Sequence, residues 1–359
     1  MRRLTKVIKI GDLSIGGNNP VVVQSMTNSD TRDVNVTVAQ IKGLEAAGCE
    51  LVRVAVPDEE AAAAISRIKA AISIPLVADI HFDHRLAIRS IEAGADGLRI
   101  NPGNIGSPDK VRELVKVCQE RSIPVRIGVN AGSLDKQILA RYGGVCARGM
   151  VESAMENIKV LQDLDFHQIK ISLKASSVML TVEAYRLMAD LVDYPLHVGV
   201  TEAGTMYRGL IKSALGVGLL LSEGIGDTVR ISLTADPVEE VWAAYEILRS
   251  LGLRKRGVEL ISCPSCGRCE IDLIKTAEAV DREVRFMDKA MKVAVMGCVV
   301  NGPGEAREAD VGIAGGRGFG LLIKHGDIVD KVSQDQMVQR LVQEIKDYAP
   351  EGAGGNNHR

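Results

Sequence analysis

Cysteines are concentrated in one short segment of the C-terminal third of the chain. The stretch ISCPSCGRCEIDL carries Cys263, Cys266 and Cys269, and Cys298 follows in MGCVVNGPGEA. The Cys-x2-Cys spacing on a turn-forming loop fits the coordination of one metal ion or cluster. Thiolate ligands favour zinc or iron-sulfur chemistry. The spacing alone does not distinguish between these two metals.

Two ligand sets are compatible with these residues. The turn formers NGPG after Cys298 bring Glu305 back toward the same site, so the fourth ligand is either Glu305 or Cys269, beside Cys263, Cys266 and Cys298. Four thiolates would close a cluster and suit electron transfer. An exchangeable carboxylate would leave one iron open to a substrate oxygen. Both sets remain open at this point.

Four predicted strands each place an arginine between branched apolar residues. They are Arg53 in LVRVAV, Arg99 in GLRIN, Arg126 in PVRIGVN and Arg230 in TVRISL. A single buried arginine is expected to pair with an acidic neighbour, because buried ion pairs also occur for structural reasons. Four at matching positions favour convergence on one ligand, and the planar guanidinium binds phosphate oxygens in pairs. The predicted ligand is a phosphate or diphosphate ester.

More polar residues follow the predicted strands, at the ends where active sites of parallel barrels lie. They are Asp79, His81, Asn101, Asn130, Lys174, Thr201, Glu202 and Ser232. Lys170 and Ser172 share parity with Lys174, so the three point to one face of their strand. The Gly-rich turns TEAGT and SEGIGD could hold phosphate on backbone N–H groups.

Eight short β-branched runs precede residue 235, each followed by a helical pattern or a Gly-rich turn. These runs cover residues 21–26, 51–56, 75–80, 97–101, 124–130, 168–174, 195–201 and 228–233. Near-continuous apolar strands separated by helices predict an α/β fold with a parallel sheet buried on both faces. The count of eight favours a closed TIM (β/α)8 barrel over a doubly wound open sheet.

The domain prediction follows from this pattern. Residues 1–250 form the TIM-barrel substrate-binding domain, and the basic stretch 248–259 is the linker. Residues 256–350 form a small α/β iron-sulfur domain, if the cysteines hold a cluster. The Gly- and Asn-rich tail, 351–359, is predicted to be disordered.

Composition excludes several classes of protein. The 359 residues carry 46 acidic and 44 basic side chains with 3% aromatics, which gives neither the charge nor the stacking surfaces of a nucleic-acid binder. An apolar run long enough for a membrane helix and a secretory signal are both absent from the sequence. Seven cysteines, an odd number, indicate a reducing compartment, and we expect a cytoplasmic protein.

Several longer motifs together resemble the 4-hydroxy-3-methylbut-2-enyl diphosphate synthase family of the methylerythritol phosphate route to isoprenoids. They are CPSCGR, GCVVNGPGEA, QSMTNSDT, ADIHF, LRINPGNIG and VTEAG. The resemblance covers almost the whole chain and is to the short bacterial form, which lacks the extra middle domain of plant-type members.

The resemblance implies a 4Fe-4S cluster held by Cys263, Cys266, Cys298 and Glu305. Cys269 departs from the family's loop, and we interpret it as a bystander. The implied assembly is a homodimer in which the cluster domain of one chain caps the barrel of the other, so that the active site is shared between chains.

The implied reaction is the reductive ring opening of 2-C-methyl-D-erythritol 2,4-cyclodiphosphate, a small-molecule substrate. Two electrons would come from reduced ferredoxin or flavodoxin, since the sequence has no dinucleotide fingerprint. Glu202, with His81 and Asp79 as weaker candidates, is predicted to move protons, and Glu305 to vacate one iron. The predicted substrate-binding residues are Arg53, Arg99, Arg126, Asn130, Lys174, Arg230 and Ser232.

Three other functions account for part of the sequence pattern. An aldolase-type barrel would use Lys170 or Lys174 as a Schiff base, with the cysteines holding structural zinc. An electron-transfer module on a scaffold barrel would leave the strand arginines unexplained. A radical S-adenosylmethionine barrel is disfavoured, because its cysteines would be expected near the first strand.

Overall fold

A computed structural model describes residues 2–349 of the chain, and the tail predicted at 351–359 lies outside them. The described chain divides into two compact units between Arg254 and Lys255. We call them the barrel unit and the C-terminal unit. Within residues 2–349, none of the helices combines the length and apolar character that a membrane-spanning helix needs.

The barrel unit opens with a hairpin of two very short strands, β1 (Ile8–Ile10) and β2 (Leu13–Ile15), paired antiparallel. Gly11 makes the turn in the left-handed region, at a φ of +55°. The hairpin isoleucines pack on apolar residues at the amino-terminal ends of the next strands. The hairpin therefore covers the amino-terminal end of the barrel.

Eight parallel strands form the barrel. They are β3 (Val22–Met26), β4 (Leu51–Ala55), β5 (Leu76–Asp79), β6 (Gly97–Ile100), β7 (Val125–Asn130), β8 (Ile169–Lys174), β9 (His197–Val198) and β10 (Thr228–Val229). Their order in the sheet is β8-β7-β6-β5-β4-β3-β10-β9. A parallel bridge between Ile171 and Leu196 joins β8 to the segment entering β9 and closes the sheet. The predicted TIM barrel is confirmed.

Helices alternate with these strands and lie against the outer face of the sheet. They are α1 (Val34–Ala47), α2 (Glu59–Lys69), α3 (His84–Glu92), α4 (Pro108–Glu120), α5 (Lys136–Tyr142), α6 (Ala147–Gln162), α7 (Val178–Leu191), α8 (Met206–Ser222) and α9 (Pro237–Ser250). Most begin at an Asp or Ser whose side chain accepts a hydrogen bond from a first-turn amide, as Asp33 does from Val36. These caps fix where each loop ends and each helix starts.

The C-terminal unit is a small α/β domain with its own sheet. Its elements are β11 (Val258–Ser262), α10 (Leu273–Val284), β12 (Met291–Met296), α11 (Gly302–Glu305), β13 (Val311–Gly316), β14 (Phe319–Lys324), β15 (Asp327–Ser333) and α12 (Met337–Asp347). The strands follow one another in chain order across the sheet. The pairs β11–β12 and β12–β13 are parallel, and the last two pairs are antiparallel.

Helices α10 and α12 pack on the C-terminal sheet around a core separate from that of the barrel. Its fully buried members include Val280, Val293, Ile313 and Leu341. Four short 3-10 segments complete the regular structure of the two units. They span Pro102–Asn104, Ala131–Ser133, Ala306–Glu308 and Gln334–Gln336.

Candidate active site

The barrel interior is lined by charged side chains. In β4, Val52 and Val54 pack into the core that contains the helices, so the alternate residue Arg53 faces the lumen. The same alternation places a set of cations inside, where barrels usually hold branched apolar residues. This set, which we call the lumen cations, consists of Arg53, Arg99, Arg126, Lys170, Lys174 and Arg230.

Asp79, the last residue of β5, pairs with two of the lumen cations. Arg99 Nη1 lies 3.2 Å from Asp79 Oδ1, and Arg53 Nε lies 3.5 Å from Asp79 Oδ2. Arg99 Nη2 also donates to the carbonyl of Gly128, at 3.2 Å. Burial alone would raise the pKa of Asp79, but the charges of Arg53, Arg99 and Arg126 hold it below its usual value. Asp79 is therefore ionised at neutral pH.

Arg53 has a second contact that is unusual for a guanidinium. Its Nη2 and Nε lie 2.9 and 3.1 Å from the sulfur of Met26. Burial and the neighbouring cations Arg230 and Arg99, against the attraction of Asp79, lower the pKa of Arg53 to about 10. A soft, weak acceptor thus occupies a position where a stronger anionic partner could bind.

Arg230 follows β10 and pairs with Glu240 of α9. Its Nε lies 3.5 Å from Glu240 Oε2, and the side chain is largely buried. Glu240 is fixed by two further donors, the hydroxyl of Ser25 at 3.1 Å and the amide of Leu233 at 3.0 Å. Glu240 thus anchors Arg230. The predicted residue Ser232, two positions further on, is half-buried.

Within residues 2–349, Lys170 and Arg126 have no acidic partner, and several of their nitrogens have no hydrogen bond. In the described part of the chain, Lys170 Nζ and the Nε and Nη1 atoms of Arg126 have no hydrogen-bond partner. Lys170 is 2% exposed and Arg126 is 4% exposed. Burial, followed by the repulsion of nearby cations, lowers the pKa of both groups well below their usual values. An anion in the lumen would relieve both penalties.

Lys174, the last residue of β8, contacts a buried histidine of the neighbouring strand β9. Its Nζ lies 3.3 Å from Nε2 of His197, and Nδ1 of His197 lies 2.7 Å from the hydroxyl of Thr228. Lys174 is 7% exposed, whereas His197 and Thr228 are fully buried. Asn130, at the end of β7, pairs in register with Lys174 and is half-buried. Lys174 and Asn130 therefore lie side by side at the barrel mouth.

The predicted proton carriers lie in different surroundings. His81 is 59% exposed in its side chain, with Nδ1 at 3.3 Å from Arg99 Nη1 and Nε2 at 3.9 Å from Asp79 Oδ1. Glu202 is exposed in the loop after β9, with a φ of +52°, a backbone conformation that a residue with a side chain rarely adopts. The structure thus brings His81 next to Asp79 and Arg99, and places Glu202 on another loop of the same barrel face.

The candidate metal ligands follow two neighbouring parallel strands of the C-terminal unit. Cys263 comes directly after β11, and Cys298 lies two residues beyond the end of β12. The amide of Gly297 donates to Cys263 Sγ at 3.3 Å. Hydrogen bonds from the amides of Asn301 and Val300 lower the pKa of Cys298. Backbone donors therefore favour the thiolate of Cys298, the form that binds iron.

Cys266 and Glu305 are exposed on the loop and helix beside these thiols. Across residues 2–349, no three Cys, His, Asp or Glu side chains converge closely enough to hold one metal ion. An iron-sulfur cluster makes a different demand, because each thiolate binds a different iron and the sulfurs need not meet at a point. A donor set of thiolates served by backbone amides, with an exposed carboxylate nearby, fits such a cluster.

Cys269 differs from the other cysteines of its loop. Its Sγ donates to the carbonyl of Ile271 at 3.1 Å and packs with the core of the C-terminal unit. A Cβ added to Gly297 would lie 2.6 Å from this sulfur, so the two residues are in close contact. The Cys269 thiol is thus hydrogen-bonded and packed on the side of the loop that faces the core of the C-terminal unit.

Two residues of the site were missed by the sequence analysis. His197 lies in the strand segment PLHVGVT at the same parity as Gly199 and Thr201, so alternation could have placed it in the lumen. Glu240 lies on a helix, in DPVEEVWAAY, where its sequence resembles that of a solvent-facing first turn. Its burial depends on the nearby Arg230, which only the three-dimensional structure reveals.

Comparison with solved structures concerns the barrel fold alone. A dihydropteroate synthase from Stenotrophomonas maltophilia aligns with a TM-score of 0.51 at 12% identity, covering 69% of this chain and 98% of that chain. Identity at this level indicates a shared barrel architecture and nothing about substrate.

Comparison with curated proteins goes further. The chain is 59% identical over 351 residues to a 4-hydroxy-3-methylbut-2-en-1-yl diphosphate synthase (flavodoxin) of Caldanaerobacter subterraneus, covering 98% of this chain and 99% of the relative. Relatives with the same name from Clostridium tetani and Geobacter sulfurreducens are each 57% identical. Each alignment covers 96% of this chain. It covers 99% of the Clostridium tetani protein and 98% of the Geobacter sulfurreducens protein.

Two family models match in the order of the two units. The GcpE TIM-barrel domain matches residues 5–245, and the GcpE protein C-terminal domain matches residues 259–347. The resemblance read from the motifs is therefore confirmed. The chain belongs to the GcpE family, the family of the 4-hydroxy-3-methylbut-2-en-1-yl diphosphate synthases.

Proposed function

We propose that the protein converts 2-C-methyl-D-erythritol 2,4-cyclodiphosphate into 4-hydroxy-3-methylbut-2-enyl diphosphate in the cytoplasm, as a step of isoprenoid biosynthesis. The C2–oxygen bond of the ring breaks and leaves its electron pair on the phosphate oxygen. The C3 hydroxyl takes one proton and leaves as water, and two electrons form the new double bond. Membership of the GcpE family supports this reaction. The observation that carries it is the excess of buried cations in the lumen, where Lys170 and Arg126 lack anionic partners within the described chain.

The diphosphate is proposed to bind across the lumen cations. Two linked phosphates present several oxygens, so one ligand can supply partners to guanidinium and ammonium groups from different strands. Arg53 would exchange its weak contact with Met26 for a phosphate oxygen, while Asp79 and Glu240 keep the arginines oriented. The proposed binding residues are Arg53, Arg99, Arg126, Asn130, Lys174, Arg230 and Ser232.

Proton movement is proposed for the residues at the mouth. Asp79 is ionised and paired with two arginines, so its role is to orient them or to accept a proton. His81 and Glu202 are exposed, and each can exchange protons with water before the substrate covers them. Glu202 is our first choice, because it lies at the barrel mouth and residues in strained left-handed backbone are enriched at functional sites.

We infer that Cys263, Cys266, Cys298 and Glu305 hold a 4Fe-4S cluster. When bound, it would pass single electrons and offer a Lewis-acidic iron at the position of the carboxylate. The protein's part is to hold Cys263 through the amide of Gly297 and to favour the Cys298 thiolate through the amides of Asn301 and Val300. The names of the curated relatives support reduced flavodoxin as the electron donor, with ferredoxin as the alternative.

Anaerobic turnover tests the function. The cluster-loaded enzyme, the cyclodiphosphate and reduced flavodoxin are expected to yield the linear diphosphate, detected by ³¹P NMR. An Arg126→Met enzyme with the same iron content is the control and should turn over at least tenfold more slowly. Failure of the loaded wild-type enzyme to consume the cyclodiphosphate with any low-potential donor would sink the proposal.

The ligand set is tested by iron and sulfide analysis of variants. We expect about four irons in the wild type and in Cys269→Ala, and a near-complete loss of iron in Cys298→Ala. Glu305→Ala should retain most of its iron, held by three thiolates, and lose activity. The opposite pattern, with iron lost from Cys269→Ala and full activity in Glu305→Ala, would establish the four-cysteine set.

We also propose a homodimer whose active sites are shared between chains, as the family resemblance implies. Mixed dimers provide the test. An Arg126→Met chain has a defective barrel and a Cys298→Ala chain has a defective cluster domain. If the cluster of one chain serves the barrel of the other, co-refolded mixtures recover activity that neither variant shows alone. No recovery in verified heterodimers would place each active site within one chain.

A further inference from the structure

His197 lies directly beneath Lys174 in the wall of the barrel. Its Nε2 is 3.3 Å from Lys174 Nζ and its Nδ1 is 2.7 Å from the hydroxyl of Thr228. The imidazole is 0% exposed. Both ring nitrogens are therefore used inside the protein, and the ring cannot exchange protons with a substrate at the mouth.

The backbone around His197 is held by its neighbours. The hydroxyl of Tyr185 donates to the carbonyl of His197 and accepts from the amide of Leu173, at 3.1 Å for the second bond. Tyr185 thereby ties the start of β9 to β8, the strand that ends in Lys174. A Cβ added to Gly199 would lie 2.7 Å from Lys174 Nζ, so Gly199 leaves the space through which the lysine passes.

The surrounding charges determine which protons His197 carries. Burial, followed by the repulsion of nearby cations, lowers the pKa of His197 well below its usual value, so the ring is neutral. A neutral imidazole has one donor and one acceptor nitrogen. The charged groups that act on Lys174 and His197 are Arg126, Arg230, Arg53, Lys170 and Glu240.

Only one arrangement of protons suits a charged Lys174. An ammonium group has donors alone, so Nε2 must accept and the ring proton must lie on Nδ1. Nδ1–H then donates to the hydroxyl of Thr228, so both ring nitrogens have partners in this tautomer. If Lys174 lost its charge, its amine could accept instead, and the proton could move to Nε2.

We propose that His197, supported by the hydroxyl of Thr228, is a positioning residue that holds Lys174 as an ammonium group aimed at the diphosphate of the substrate. The choice of diphosphate as ligand rests on the proposed function. The arrangement of Lys174, His197 and Thr228 rests only on the distances between their side chains. Burial, followed by the repulsion of Arg126, Arg230 and Arg53, already lowers the pKa of Lys174 well below its usual value. Without the acceptor nitrogen of His197, the charged form of Lys174 would be lost at a still lower pH.

Two matched pairs of variants test the proposal, in the full-length, cluster-loaded enzyme with inorganic diphosphate as the probe. His197→Leu removes the acceptor for Lys174, while the amide oxygen of His197→Gln can replace it. Thr228→Val removes the hydroxyl at nearly constant volume, while Thr228→Ser retains it. Calorimetric titration from pH 6 to 10 gives the affinity and the pH at which it falls.

We expect His197→Leu to weaken diphosphate binding by about 10- to 100-fold, the range for losing a hydrogen bond to a charged group. The alkaline fall in affinity should move to lower pH in His197→Leu and, less strongly, in Thr228→Val. His197→Gln and Thr228→Ser should stay close to the wild type. A role in packing alone would not move the pH at which affinity falls.

The tautomer gives a readout that needs no ligand. In ¹⁵N-histidine-labelled enzyme, the His197 resonances should report a neutral ring with the proton on Nδ1, and Lys174→Met should shift Nε2. An Nε2–H tautomer in the wild type would overturn the proposal, as would unchanged affinity and pH profile in His197→Leu. Weakened binding that His197→Gln does not restore would also overturn it.

If the wild type binds no diphosphate, the proposed function fails and the tautomer alone decides the role of His197. If His197→Leu does not fold, as judged by near-ultraviolet circular dichroism, the Thr228 pair decides. In that case, equal affinities and equal pH profiles for Thr228→Val and Thr228→Ser would contradict the proposal.

Discussion

Two arginines on neighbouring strands show how the same side chain takes opposite roles. Arg99 and Arg126 lie side by side, as register partners on the adjacent strands β6 and β7. In Arg99, Nη1 and Nη2 bind Asp79 and the carbonyl of Gly128, and Nε alone has no partner in residues 2–349. Arg126 has two guanidinium nitrogens without a partner in residues 2–349. Its burial is a cost to the free protein that a bound anion would offset.

Replacing Arg126 is therefore expected to help folding and harm binding. Arg126→Met should raise the free energy of unfolding of the ligand-free enzyme by about 1–3 kcal/mol, the desolvation cost of an unsatisfied buried group, and should abolish measurable diphosphate binding. Urea unfolding and calorimetry measure the two effects. Arg99→Met is the control and should destabilise, because Asp79 and the Gly128 carbonyl lose a donor.

The buried position of Lys170 leads us to expect that the free energy of unfolding depends on pH in the alkaline range. Burial lowers the pKa of Lys170 in the folded protein. Between that lowered pKa and the ordinary lysine pKa of about 10.4, the unfolded chain binds more protons than the folded one. The free energy of unfolding therefore rises with pH across this window. In urea unfolding at pH 7, 8 and 9, Lys170→Met should show a weaker rise than the wild type. The exposed Lys116→Met should match the wild type, and parallel profiles for all three would refute the assignment.

Sequence patterns identified most of these residues but not their pairings. Arg53, Arg99, Arg126 and Arg230 stood out because a charge between branched apolar residues breaks the pattern of a buried strand. Which arginine is paired depends on contacts between strands and helices distant in sequence, such as that of Arg230 with Glu240. Local patterns carry no record of such contacts.

At the scale of elements, the sequence pattern predicted the first six barrel strands accurately and the last two poorly. The first six predicted runs match β3 to β8 within one residue at each end. The runs at 195–201 and 228–233 were too long, because β9 and β10 keep only two residues each. Hydrogen bonding continues past β9, from the amide of Thr201 to the carbonyl of Ala175, where the chain already forms the mouth.

The hairpin β1–β2 was missed altogether, because strands of three residues leave almost no alternation to detect. Its isoleucines nevertheless belong to a buried cluster with Val22, Leu51 and Val77. The open doubly wound sheet that the pattern also allowed is wrong, because the bridge from Ile171 to Leu196 closes the barrel.

The hairpin is expected to matter for stability in proportion to this burial. Ile10 is 3% exposed, and Ile10→Ala should lower the free energy of unfolding by about 2–4 kcal/mol through lost burial and an unfilled cavity. Lys9→Ala, at the exposed position between Ile8 and Ile10, should change it by less than about 0.5 kcal/mol. Similar midpoints of chemical unfolding for both variants would show that the hairpin packs only loosely.

At the scale of the whole molecule, the two largest hydrophobic cores are built from separate parts of the chain. The barrel core draws on residues from Val21 to Leu253, and the C-terminal core on residues from Val258 to Tyr348. Each unit has a different proposed ligand, an anion for the first and a cluster for the second. Ligands that bind only the folded form of one unit should stabilise that unit selectively.

Calorimetry of the cluster-free protein is therefore expected to show two transitions. Inorganic diphosphate should raise the midpoint of one of them, and reconstitution of the cluster should raise the other. Cys298→Ala should remove the second response and leave the first. A single transition that both ligands shift together would contradict this prediction and show that the cores unfold cooperatively.

The cationic lumen also sets a demand on any inhibitor directed at this enzyme. A neutral, drug-like molecule filling the barrel would bury Arg126 and Lys170 more deeply without giving them an anion. Tight binders must therefore carry negative charge, which slows passive entry into a cell. A masked phosphonate released after uptake would reconcile the two requirements, and the breadth of the cation set would leave room to vary its carbon skeleton.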